Sequence, residues 1–424
     1  MDSLQAQVFD SGFALAHDTY NGIGAASDGC VYYILCSEQC ETGGRMYRLD
    51  PARNVIHLVA DLTEACGESD SICQGKSHVP FVESKGHLWF ATHLGYYDII
   101  DGKEMPGAPR PGQAAYPGGH VLAYDMASGT IEDLGIPLEG EGILTMNMDT
   151  EAGFVYGLTW PEGHFFRFDI ATRQTTDLGL MFEGGELGLG ERYRTVCRSL
   201  AVDPRDGAVY FSRGEGTIHV CRRGSNEVEQ LPGTGMKKDY FGTYDPTSPG
   251  HMAYCWRQVI WYAPEEKFYG VHGNSGYLFT FDPCDGEVEV LDRLTSLPSR
   301  RSGMFDQFSY GYLGFTLGPD GETLYYLTGG PLIVDGKRLE GKASTSRGEA
   351  KGQENLHLVT WRIPTQHYHD HGPVHLDNGQ RPSYVNSIAV SQDGTVYTLA
   401  RVFGPASSRT DLLAMKPPGN RDPS

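Results

Sequence analysis

The segment SHVPFVESKGHLWFATH carries a histidine near each end, His78 and His93. Imidazole gains and loses a proton close to neutral pH, so two of them brought together can serve a proton-transfer reaction. Elsewhere the chain offers groups suited to an anionic sugar. Arg198 and Arg257 can each grip a planar carboxylate through paired hydrogen bonds. Trp160 and Tyr312 present flat faces of the kind sugar rings stack on, and His272 and Asn274 add hydrogen-bonding groups. Tyr193 carries a phenol able to act as an acid.

These types together describe β-elimination at a uronic acid. The proton on the carbon beside the carboxylate is weakly acidic, so the carboxylate must first be neutralised by Arg, Asn or His. A base of near-neutral pKa then takes the proton, and an acid assists departure of the glycosidic oxygen. His78, His93 and Tyr193 are the catalytic candidates. Arg198, Arg257, Trp160, Asn274, His272 and Tyr312 are the substrate-binding ones. Ordinary glycoside hydrolysis needs two opposed carboxylates instead, and among the neighbouring positions only Asp18 is an evident one. A plainer account competes: a histidine or arginine in such a place often ties scaffold together, and tyrosine or tryptophan often fills a channel.

Residues so far apart in sequence need an architecture that gathers them. His78 and His93 flank two short strands joined by a turn at Lys85-Gly86, an antiparallel pair that returns the chain to the face it left. That pair recurs with a period of roughly 45 to 65 residues. The strand LWFATH (88–93) matches VYYILC (31–36), VYGLTW (155–160), VYFSR (209–213), FYGVHG (268–273), LYYLTG (324–329) and VYTLAR (396–401). Turn signals such as Ser27-Asp28-Gly29 and Gln392-Asp393-Gly394 precede most of them. A third strand follows each, often ending in an aromatic and Asp, and then a fourth such as IEDLG, TTDLG or HYHDHG.

The seventh unit lacks its fourth strand, while AQVFDSG (6–12) has that character and precedes the first unit. The expectation is an all-β fold over residues 1–424, a seven-bladed β-propeller whose ring is closed by the N-terminal strand completing the last blade. In that register the loops before the first strand and after the second strand of every blade share one face, around the central channel. The inserted loops 103–119 and 330–355 belong to the same face and could wall a cleft or act as a lid.

The whole chain is acidic, with a formal net charge of −20 over 424 residues. This argues against a general nucleic-acid or anionic-membrane partner and makes a local cluster of Arg, His and Tyr stand out as an anion site. Nine cysteines leave at least one thiol unpaired within the chain. Cys36, Cys40, Cys66 and Cys73 fall in loops that could approach one another, as disulfides or as a four-thiolate metal site, although their spacings are not those of paired CxxC motifs. His367, His369 and His371 alternate on an outer strand, a second arrangement that could hold a metal but suits solvated side chains better. The first eighteen residues show no basic region followed by an apolar run, which favours a cytoplasmic protein over a secreted mature form. The oligomeric expectation is a monomer.

The seven-unit pattern, with SHVPF and FATH in its second unit and Arg/Tyr-rich loops later, resembles the seven-bladed polysaccharide lyases, among them ulvan lyases and lyases of rhamnose–glucuronate linkages. The resemblance implies β-elimination at glucuronate or iduronate, with histidine and tyrosine moving protons and arginine neutralising the carboxylate. By position, His78 and His93 match the paired histidines of an early blade. No cofactor is then required, and a structural divalent cation such as calcium is compatible with the fold. Two other classes stay open: a propeller hydrolase of the α-L-rhamnosidase type or a metal-dependent lactonase, and a non-catalytic propeller that binds acidic carbohydrate.

Overall fold

Turn chemistry sets the blade. Asp125 ends a third strand and accepts hydrogen bonds from the backbone N–H groups of Ala127 (2.8 Å) and Ser128 (3.2 Å). Asp169 does the same for Ala171 and Thr172, and Asp320, in the turn between the first two strands of its blade, caps Glu322 and Thr323 likewise. A short carboxylate that caps the next two N–H groups fixes a tight turn, which explains the recurring aromatic-Asp pair. At Lys85-Gly86 both residues have positive φ, 50° and 80°. That is the backbone a two-residue hairpin loop requires, and it joins strand Val82–Ser84 to His87–Ala91.

The computed structural model describes residues 3–418 except 18–19, 101–102, 234, 250, 303–313, 331–332, 335–336, 339–354, 383–384, 386 and 404–407. Within these residues the strands form seven four-stranded antiparallel blades. Blade 1 comprises Ile23–Ala25, Val31–Leu35, Arg45–Asp50 and Val55–Asp61. Blade 2 comprises Val82–Ser84, His87–Ala91, Val121–Asp125 and Thr130–Gly135. Blades 3 to 6 span 142–180, 201–230, 256–293 and 315–376.

Blade 7 takes Ala389–Val390, Val396–Phe403 and Ser408–Met415 from the C-terminal part and Leu4–Phe9 from the N-terminal part. Ala6 faces Met415 and Phe9 faces Leu412 in an antiparallel ladder, so the ring closes as the sequence pattern predicts. The closing strand does more than complete blade 7. It also pairs in parallel with the outer strand of blade 6, Leu4 with Val374 and Ala6 with Leu376, which fuses two blades into one eight-stranded sheet. That outer strand runs His367–Leu376, longer than HYHDHG alone.

The core lies between blades, because each twisted sheet buries both faces against its neighbours. Tyr32 and Ile34 of blade 1 pack with Phe90 and Leu122 of blade 2, and Phe211 of blade 4 with Phe165 of blade 3. No described helix is long and apolar enough to cross a membrane. All nine cysteines are free thiols, eight of them buried, so no disulfide joins Cys36, Cys40, Cys66 and Cys73, and among the described residues they form no group of three or more ligands. Cys40 and Cys73 instead hydrogen-bond to Gln113 Oε1 and to the Gln39 and Thr42 carbonyls.

Candidate functional site

Three loops meet at one point on the channel face. Ser37 follows the second strand of blade 1, Gly75 precedes blade 2, and Gly95 follows its second strand. The Ser37 N–H donates to the Gly75 carbonyl at 2.9 Å. A Cβ on Gly95 would collide with the Ser37 carbonyl, and one on Gly75 would lie 2.5 Å from Gly95 Cα. Only glycine allows the backbones this close, and the approach sets Lys76 against His93 in an isolated antiparallel bridge. The His93 N–H donates to Lys76 O at 2.8 Å, and the Lys76 N–H to His93 O at 3.1 Å. Residues opposed in such a bridge point the same way, so the lysine and the imidazole enter the site together.

His78 and His93 do come together: their ring centroids are 4.6 Å apart. His93 lies just past the second strand, which ends at Ala91, and is buried. Its Nδ1 is 2.7 Å from the Leu94 carbonyl, which also accepts from the Tyr97 hydroxyl at 2.6 Å. A carbonyl can only accept, so Nδ1 carries the hydrogen and Nε2 is left with its lone pair. That Nε2 is buried without a hydrogen-bond partner. His78 is less enclosed and lies between His93 and Tyr20, tilted to both, with its ring 4.0 Å from the latter's.

Both imidazoles are held well below the usual histidine range. For His78 the causes are burial, then the neighbouring His93, Lys76, Arg198 and Arg257. For His93 they are burial, Lys76 and Arg198, opposed by the bond to Leu94. The two rings are therefore neutral bases among cations. Arg198 and Arg257, both buried, are thus part of this centre.

Trp160 closes one wall, 5.6 Å from His93 and 5.4 Å from Tyr97 between centroids. Its indole N–H donates to Glu186 Oε2 at 3.0 Å, while Glu186 Oε1 pairs with Arg198 Nη1 at 2.7 Å and accepts the Val196 N–H at 3.1 Å. Glu186 thus orients an arginine and a tryptophan at once. The expectation of a mouth nearly free of carboxylates is corrected here: Glu186 sits inside it, and Glu38 and Glu104 act on Tyr97. Burial first, then those two carboxylates, hold the Tyr97 phenol well above its ordinary value.

Other sequence candidates have different surroundings. His272 is fully buried, stacked 4.3 Å from Phe241, with Nδ1 on Ser275 Oγ (2.8 Å) and Nε2 on the Ala253 carbonyl (3.0 Å). Burial pushes it down to about 3. Asn274 donates to the same carbonyl and accepts the Met252 N–H. This pair shapes loop 252–255, which leads into Arg257. Tyr193 is buried beneath Lys103, whose Nζ lies 4.8 Å from the ring centroid.

Tyr312 lies outside the described residues, as does most of the inserted loop 330–355. Only the start of the 103–119 insertion is a strand, Lys103–Pro106, paired with Tyr97–Ile100 in a hairpin; further on, Ala114 bridges to Ser71. Lys103 Nζ ties the hairpin to the Gly188 carbonyl at 2.8 Å. On the outer strand of blade 6, His367 and His369 are exposed, and buried His371 bonds Thr360 Oγ1. Among the described residues no three His, Cys, Asp or Glu side chains form a group that could hold a metal ion.

Sequence reasoning missed Lys76, Glu186 and Gln258. Gln258 donates to Asn21 Oδ1 at 3.0 Å and accepts the Phe315 N–H at 2.8 Å, linking blades 5, 1 and 6 at the channel. Lys76 was legible in one respect, as a charged residue flanked by Gly75 and adjoining the histidine segment. Glu186 carried no local signal.

No family model and no curated protein matches the chain. Solved structures do. A chain of the Mitotic Checkpoint Complex crystal structure aligns over 98% of this chain and 93% of its own, with TM-score 0.51 and 11% identity. A Bacteroides thetaiotaomicron protein of unknown function aligns over 98% and 90%, with TM-score 0.42 and 14% identity. At such identity the first likeness speaks to the propeller fold alone.

Proposed function

We propose that this protein is a carbon–oxygen lyase that cleaves a glycosidic bond at a uronic acid by β-elimination. The observation that carries the reading is a pair of adjoining imidazoles, His78 and His93, tilted 37° to each other and held in the neutral form among Lys76, Arg198 and Arg257. Cations that lower a base's proton affinity also draw in the substrate carboxylate and stabilise the charge that spreads onto it once the adjacent proton leaves. His78 is the proton-abstracting base, being the ring more open to the site. His93, pinned through Nδ1 to Leu94, presents Nε2 behind it. Trp160, buried against His93 and Tyr97, backs the site, and Arg198, held by Glu186, meets the carboxylate. The partner is an acidic poly- or oligosaccharide, and the step asks for no cofactor.

Hydrolysis is the less favoured chemistry because both oxygens of Glu186 are engaged by Arg198, Val196 N–H and Trp160, leaving no free nucleophile there. The test is incubation with a panel of uronate polysaccharides and oligosaccharides, following ultraviolet absorbance of the new carbon–carbon double bond. A lyase gives absorbance that rises with each cut. Reducing ends released with no absorbance would sink the reading in favour of a hydrolase. Substitution of His78 or His93 by Ala is expected to lower kcat by roughly 10²–10⁴-fold with a far smaller change in KM. Full activity in both variants would remove them from the mechanism.

A further inference from the structure

The floor of the site holds a lysine that the elimination just described uses only as background charge. Lys76 is 1% exposed, and its Nζ lies 2.7 Å from Tyr20 Oη, 4.1 Å from the centroid of the Tyr20 ring and 4.4 Å from that of Tyr97. Burying an ammonium is costly unless it is paired and hydrogen-bonded, and the Tyr20 hydroxyl and the faces of two tyrosine rings are among the groups that meet this one. An ammonium can only donate, so the Tyr20 oxygen accepts from Lys76 and its own hydrogen points at a different atom. Tyr20 is half-buried, and its ring touches His78.

The second phenol is arranged otherwise. Tyr97 gives its hydrogen to the Leu94 carbonyl and turns its ring, not its oxygen, to Lys76. Tyr193, the acid expected from the sequence, is buried beneath Lys103. Of these three phenols only Tyr20 combines an adjacent ammonium with contact to the accessible imidazole.

We infer that Lys76 and Tyr20 act as a couple, Tyr20 as the catalytic acid of the elimination and Lys76 as the positioning residue that stabilises its phenolate. The inference rests on the lyase reading. His78 takes the proton from the carbon beside the carboxylate, and that electron pair forms the new double bond. The bond from the neighbouring carbon to the glycosidic oxygen breaks, and the oxygen receives the Tyr20 hydrogen. The phenolate left behind faces the Lys76 ammonium at hydrogen-bond distance. Solvent then returns a proton to Tyr20 and removes one from His78, so the protein ends as it began. Among the described residues, the charged and titratable groups around this couple include His78, His93, Tyr97, Arg198 and Arg257, with Glu104, Glu38, Tyr116 and Cys36 acting on Tyr97.

The test uses the full chain, the uronate panel above, and Lys76→Met, Lys76→Arg and Tyr20→Phe. Tyr20→Phe is expected to lose about 10²-fold or more in kcat with KM little changed. In Lys76→Met the acidic limb of kcat/KM should move up by about one pH unit, because the imidazoles lose a cationic neighbour, and the basic limb should move up as well. Lys76→Arg should return both limbs toward the wild-type positions. Imidazole nitrogen spectra of wild type and Lys76→Met read the same shift in His78 and His93 without any substrate, which covers a variant too weak to assay. A merely structural lysine would lower activity and leave limbs and spectra in place, which overturns its role. Full kcat in Tyr20→Phe overturns the acid assignment. An inactive wild type overturns the lyase reading itself, while an active wild type with unmoved variants overturns only the couple.

Discussion

Burial has opposite meanings for histidines in different parts of this ring. At His272 it is scaffold, since both nitrogens are bonded, yet the ring is pushed down to about 3. At His78 and His93 it holds the rings neutral among cations, the state the proposed elimination asks of its base. Each ring whose proton affinity in the folded state lies below that of the unfolded chain makes stability depend on acid. The unfolded state then binds more protons as pH falls below about 6.5, so stability drops from that point until the folded-state value is reached. For His272 the window runs from about 6.5 down to about 3, and at pH 5 the loss is about 2 kcal/mol. His219 and His371, each pushed down to about 4, act in the same direction. Thermal unfolding followed from pH 7.5 to 5 should show a falling midpoint, and a midpoint flat across that range would contradict the buried neutral rings. The residue types of the site were readable in the chain, but their charge states were not, because a charge state sums over neighbours from several blades.

At the scale of the strand, one device recurs that the sequence displayed without explaining. The Asp of the fourth strand meets a histidine thirteen residues earlier: His120 with Asp133, His164 with Asp177 and His357 with Asp370. In each case the same carboxylate accepts the N–H two residues on, Gly135, Gly179 or Gly372. The carboxylate thereby pins a register shift between the third and fourth strands of each of these blades.

The strength of this device follows its surroundings. His357 and Asp370 are buried, with side-chain exposures of 4% and 1%, whereas His164 and Asp177 stand at 24% and 42%. Asp370→Asn should therefore cost about 2 kcal/mol, since it disturbs a buried charged hydrogen bond. Asp177→Asn should cost less than about 0.5 kcal/mol. Urea denaturation of the two variants compares them directly, and equal losses would show that burial is not what distinguishes the blades. The Asp370 carboxyl is held below the ordinary carboxylate range in spite of burial, chiefly by His357. Its contribution is present above the unfolded-state value and is lost as pH falls through the folded one.

At the scale of the whole molecule, the ring depends on a strand from its far end. Leu4 and Ala6 are buried between the outer strand of blade 6 and the last strand of blade 7. Ser11, just beyond, donates its hydroxyl to Asp411 at 2.7 Å and lies 2.7 Å from the Tyr33 hydroxyl of blade 1. Removal of residues 1–9 should open both seams and lower unfolding stability by roughly 3 kcal/mol or more, given the apolar groups exposed. A truncated chain that melts at the full-length temperature would show that the seam is not needed.

The sequence by itself determined the period, the ring and the strand that closes it, because alternation, Asp-Gly turns and a missing fourth strand are local signals that need no neighbour to be read. It also placed His78 and His93 on one face. Tertiary structure alone decided that Lys76 stands between two tyrosines, that Glu186 holds Arg198 and Trp160, and that His272 and Asn274 serve a loop. Those contacts join segments from different blades. A side chain's protonation, partners and freedom are set by what the closed ring brings within a few ångströms of it, and chain order does not record that distance.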